Sequence, residues 1–83
     1  MAAFSSEEAR ILVQYAIQKY GDEEELLEKL RTVLGERQIQ QTVDFLIGTQ
    51  KVRRIGPQML QNNESHTELP DLPDGLKPVI DGL

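Results

Sequence analysis

The sequence predicts an all-α fold, a compact three-helix bundle followed by a mostly irregular C-terminal tail. Three observations carry that expectation. Two stretches, 5–20 and 22–34, repeat apolar residues at three- and four-residue intervals between a capping residue and a glycine. A third, 36–47, follows the second after hardly more than Gly35-Glu36, so the two helix axes must cross steeply. The chain is 83 residues long and 39% apolar, which suffices for one small core and not for two.

The first helix opens at Ser5-Ser6-Glu7-Glu8. Ser5 can accept from the amide of Glu8 while the Glu8 carboxylate reaches back, the reciprocal pattern of a capping box. Ala9, Leu12, Val13, Ala16, Ile17 and Tyr20 then share one face, and Ile11 and Tyr15 flank and widen it. A face so broad predicts contact on more than one side, which makes Ile11 and Tyr15 candidates for a docking surface. Gly21 reads as a left-handed cap that stops the helix. Asp22 opens the second helix, with Glu23, Glu24 and Glu25 in the first turn, where the helix dipole favours negative charge. Leu26, Leu27, Leu30, Val33 and Leu34 form its inward face and Gly35 ends it. No spaced oxygen-ligand loop accompanies the acids, so they read as a dipole-matched helix start and not as a metal site.

The third helix, from about Glu36 to Ile47, turns Ile39, Val43, Leu46 and Ile47 inward and Arg37, Gln38, Gln40 and Gln41 outward. Two helices joined by so tight a turn and braced by a longer first helix make a trihelical helix-turn-helix unit. The segment 51–60 is open between two readings. As strand, Val52-Arg53-Arg54-Ile55, a turn at Gly56-Pro57 and Gln58-Met59-Leu60 form a short hairpin, or wing. Val52 and Ile55 then fall on opposite faces, which counts against it. As helix, Phe45, Val52, Ile55 and Met59 extend the third helix past Gly48, at a cost of only ~1 kcal/mol for the glycine.

Residues 1–60 are therefore read as the helix-turn-helix domain, and 61–83 as a polar linker and an acidic tail rich in Pro, Leu and Asp. The folded unit is expected to end near Leu60, with 61–67 mobile. Three prolines between 70 and 78 break any continuous helix. The repeated Leu-Pro-Asp, beginning at Leu69 and Leu72, reads as an extended docking segment, as a strip lying over the domain, or as a disordered tail.

Charge and chemistry narrow the function. Cysteine is absent, which excludes disulfides and thiolate metal sites, and His66 is the only histidine. No nucleophile–base pair, phosphate loop or metal cluster is visible, so no enzyme, cofactor, metal or small-molecule substrate is expected. The absence of a leader or a long apolar run points to an intracellular protein without a membrane contact. The net charge of −5 is unevenly spread. Residues 1–30 and 61–83 each carry −4, while 31–60 carry +3 through Arg31, Arg37, Lys51, Arg53 and Arg54 against Glu36 and Asp44. Such polarity matters more for steering than the net value does. Two partner classes follow. For DNA, Arg37, Gln38, Gln40 and Gln41 face base edges, and Lys51, Arg53 and Arg54 meet phosphates. For a protein partner, Ile11, Tyr15, Phe45, Leu69 and Leu72 supply a docking surface.

Two families share parts of this pattern. Phe4-Ser5-Ser6-Glu7-Glu8, Ile11-Leu12 and Gln18-Lys19-Tyr20-Gly21 resemble the opening and close of the first helix of a Myb/SANT repeat. Gly35-Glu36-Arg37 and Gln41 are similar to its turn and third-helix start. The family's tryptophans are absent, with Phe4, Leu26 and Phe45 or Leu46 in their places, and the first two helices run longer than the family's. Substitutions of this kind are commoner in SANT-type modules that bind proteins or histone tails. The resemblance implies a transcription- or chromatin-associated nuclear protein that contacts DNA or a protein partner through its third helix. Ile39, Val43, Leu46 and Val52-Arg53-Arg54 also resemble a winged helix-turn-helix domain, in which a recognition helix runs into the first wing strand.

Overall fold

Helix α1, Ser6–Lys19, begins with the expected capping box in the structure, a computed structural model that describes residues 4–62 and 73–83. The Ser5 hydroxyl oxygen accepts from the Glu8 amide at 3.1 Å, and the Glu8 carboxylate accepts from the Ser5 amide at 2.9 Å. Its apolar face is as broad as the sequence implies. Ala9, Leu12, Val13 and Ala16 are completely buried, with Ile11 and Ile17 nearly so. Three further helices and the second of two strands, all defined below, pack on it.

Helix α2, Glu23–Leu30, is capped by Asp22, whose carboxylate accepts from the Glu25 amide at 3.1 Å. It ends earlier than its leucine periodicity implies. Thr32 and Val33 donate their amides to Lys29 and Leu30, and the Thr32 hydroxyl also donates to the Lys29 carbonyl at 2.7 Å. These i−3 bonds tighten the chain into a turn that still buries Leu34. Helix α3, Glu36–Gly48, buries Ile39, Thr42, Val43 and Leu46 against α1 and α2. The Thr42 hydroxyl is satisfied by donating to the Gln38 carbonyl at 2.7 Å.

The all-α expectation is overturned after α3. Gln50 takes a left-handed conformation, φ 63°, and two bonds close the helix beneath it. The Gln50 amide donates to Ile47 and the Lys51 amide to Leu46, at 3.1 and 3.0 Å. That pair is the Schellman pattern, with glutamine where glycine is usual. The helix therefore stops, and the chain continues as strands β1, Val52–Gly56, and β2, Met59–Asn62, paired antiparallel. The wing reading of 51–60 is the one realised, and the continuing helix is not. Val52 is buried and Ile55, three residues on and therefore on the other face, points to solvent, with a bulge between Arg54 and Gly56. Val52 and Leu60 seal the sheet face against the helices, joined by Asn62. The Asn62 amide nitrogen donates to the Gln14 carbonyl at 3.0 Å and the Gln18 side-chain oxygen at 3.4 Å, a polar tie between β2 and α1.

Gly21 is not a left-handed cap either, because no described glycine has positive φ. Tyr20, extended, closes α1. Gly21 instead lies against β2, where an added Cβ would stand 3.1 Å from the Met59 methyl carbon. The Glu23 amide donates to Gln58 at 2.7 Å and the Leu60 amide to Gly21 at 2.9 Å, with a β-bridge between Asp22 and Met59. The α1–α2 connection thus adds a short third rung to the hairpin.

The described part of the tail is not irregular. Helix α4, Lys77–Asp81, accommodates Pro78 in its first turn, where no amide donor is needed. Leu76, Ile80 and Leu83 join the same core, and α4 packs on α1. Lys19 donates to the carbonyls of Ile80 and Leu83, and the Tyr20 hydroxyl donates to Leu83 at 2.8 Å. The described residues form four helices and one two-stranded sheet around a single core. The expectations placed on His66, Leu69, Leu72 and the mobile linker lie outside the described residues.

Because Leu76 is 2% exposed, Leu76→Ala should cost about 2–4 kcal/mol in urea denaturation. Asp74→Ala, at an exposed position nearby, should stay within about 0.5 kcal/mol of wild type. Equal effects would mean that the C-terminal segment adds nothing to the core.

Candidate functional site

Helical geometry sets which α3 side chains can reach a partner. With Ile39, Val43 and Leu46 inward, Arg37, Gln40, Gln41 and Asp44 emerge on the opposite side, all exposed. Gln38 does not join them. It is half-buried, and its side-chain amide donates to the Phe4 carbonyl at 3.0 Å, tying α3 to the segment before α1. Three of the four residues expected to face outward on α3 therefore do so.

Strand geometry sorts the basic tract in the same way. Side chains two apart share a face, so Arg54 follows Val52 toward the helices while Arg53 points outward. Arg53 lies opposite Gln61 in the register and donates to its side-chain oxygen through Nε and Nη2, at 3.3 and 3.0 Å. Arg54 reaches back across the domain and forms a salt bridge with Glu23 at the start of α2. Its guanidinium is held above the ordinary arginine range, first by the hydrogen bond to Glu23, then by the Glu23 charge, with a smaller contribution from Asp44 on α3. Lys51 is exposed at the turn into β1. The run Lys51-Val52-Arg53-Arg54 is thus no single basic edge.

The proposed apolar docking residues divide too. Ile11 is 9% exposed and belongs to the core, and Tyr15 is half-buried against it. Among the described residues the large apolar side chains left exposed are Phe45 at 43%, Ile55 at 50% and Met59 at 41%. Phe45 borders an open groove of about 570 Å³ between the start of α1 and the first turns of α3. Ser6, Arg10, Gly35, Arg37, Gln38, Gln41 and Thr42 complete its lining. Arg10 stacks over the Phe45 ring, its guanidinium carbon 4.3 Å from the centroid, an attraction between a cation and the ring's negative face.

Arg10, over Phe45, and Glu23, paired with Arg54, take part in the candidate site and were not assigned from the sequence. For Glu23 the signal is the two-residue alternation from Val52, which sends Arg54 inward. For Arg10 it is weaker, a cation on the edge of the α1 apolar face and an aromatic outside the 39/43/46 stripe of α3. Comparison of the chain with family models, curated proteins and solved structures finds no match. Among the described residues no helix is long and apolar enough to cross a membrane.

The hairpin is held to α2 by main-chain bonds as well as by the Arg54–Glu23 pair. Glu23→Gln should therefore leave the amides of Glu23 and Leu60 protected in hydrogen exchange, with only a modest loss. Collapse of that protection would show that the salt bridge, and not the backbone, holds the wing in place.

Proposed function

We propose that this chain is a non-enzymatic protein-docking module of the winged helix-turn-helix type. The hairpin after α3, and its third rung at Gly21–Glu23, favour the winged arrangement over a Myb/SANT-like one. The observation that carries the choice of partner is the fate of Arg54. A cation placed to meet a phosphate is instead paired with Glu23 and faces the field of Asp44. Asp44 also interrupts the exposed face of α3, and the chain is −5 overall. A polyanion gains affinity from several unpaired cations in one track, whereas a protein surface tolerates mixed charge.

A second reading, contact with DNA, rests on Arg37, Gln40, Gln41 and Lys51. These stand exposed along one helix and the turn that follows it. Fluorescence anisotropy with mixed-sequence duplex DNA at low salt separates the two readings. The docking reading expects no saturable binding below about 100 µM, the weak end of ordinary non-specific affinity. Micromolar binding that falls steeply with salt and is lost in Arg37→Glu/Lys51→Glu would overturn it.

A further inference from the structure

The groove between α1 and α3 differs in charge from the rest of this acidic chain. We propose that it binds an acidic peptide segment of a partner protein, with Asp or Glu side chains next to an apolar or aromatic residue. The proposal rests on the docking-module reading and names the partner chemistry of one surface.

The lining contains two arginines and no carboxylate. Arg10 and Arg37 form no salt bridge among the described residues. The acids nearest in the chain are engaged or lie outside the lining. Glu8 holds the Ser5 amide, Glu36 pairs with Arg31 at 3.2 Å, and Asp44 acts on Arg54. Glu7 is exposed on α1 but does not line the groove. A peptide carboxylate is the anion that this pair of guanidiniums can bind with charge-assisted, bidentate hydrogen bonds.

The remaining lining favours a peptide over a nucleic acid. Phe45 offers an apolar ring beside the cations, already under Arg10, against which an aliphatic or aromatic side chain can pack. Gln41 is exposed at the groove and can both donate to and accept from a peptide backbone. About 570 Å³ is within the ordinary range of ligand pockets and suits a short segment. Two cations are too few to hold a phosphate backbone.

The test is selection from a random-peptide phage library against the immobilised 83-residue chain at low salt, followed by anisotropy of the enriched peptides. The proposal expects enriched peptides that join Asp or Glu to an apolar residue. Their affinity should fall about tenfold in Arg10→Gln and again in Arg37→Gln, the loss of one charged hydrogen-bonding partner each. Arg53→Gln, away from the groove, should leave affinity unchanged, and circular dichroism should show all three variants folded. No enrichment, neutral or basic peptides, or acidic peptides indifferent to both groove variants would overturn the assignment. Enrichment of neutral peptides would remove the acidic partner but leave the docking reading intact, whereas micromolar DNA binding would remove that reading itself.

Discussion

Burial of α1 on several sides at once is the constraint on which the rest of the structure depends. Leu12, Val13 and Ala16 leave no room for solvent, so each face of the helix needs a cover. Helices α2 and α3 supply part of it, as in any trihelical unit. Strand β2 covers more, through Leu60, while Val52 of β1 packs toward α3, and α4 with the turn before it adds Leu76 and Ile80. For a small chain such complete cover matters, because a core of this size has little stability to lose. The C-terminal segment is part of the domain for that reason, despite its prolines.

The electrostatics follow from the same packing. The basic charge of residues 31–60 looks like one patch only along the chain. In space, strand alternation turns Arg54 toward the acidic start of α2, and the cross-strand register gives Arg53 to Gln61. Meanwhile Arg10, from an acidic stretch of sequence, arrives beside Phe45 at the mouth of the α1–α3 groove. The fold therefore moves available positive charge away from the wing and toward that groove. Local field, and not net charge, is the quantity that governs electrostatic steering toward a given face.

What could be read from the sequence were features with local causes. The Ser5–Glu8 box, the Asp22 cap and the apolar stripe of α3 depend on residues three or four apart. The features that escaped depend on distant or atypical residues. The end of α3 near Ile47 was legible, but its cause, Gln50 in a conformation that usually signals glycine, was not. The apparent conflict between Val52 and Ile55 disappears because Ile55 is simply left exposed on the outer face of the strand, which its apolar character does not announce. Gly21 answers to the approach of Met59, far along the chain, and not to a turn. Pro78 breaks a helix only in its interior, and here it begins one. At the site, Gln38 was misplaced because its partner is a carbonyl of the segment before α1, and Arg10 went unassigned because its partner lies on another helix.

The division of the arginines into engaged and available ones is the central claim, and side-chain NMR tests it directly. Rotation about the Nε–Cζ bond of each guanidinium can be followed by carbon-detected exchange. Slow rotation is predicted for Arg54, whose two terminal nitrogens both meet Glu23, and fast rotation for Arg37. Fast rotation of Arg54 together with restricted rotation of Arg37 would contradict it and return the available charge to the wing.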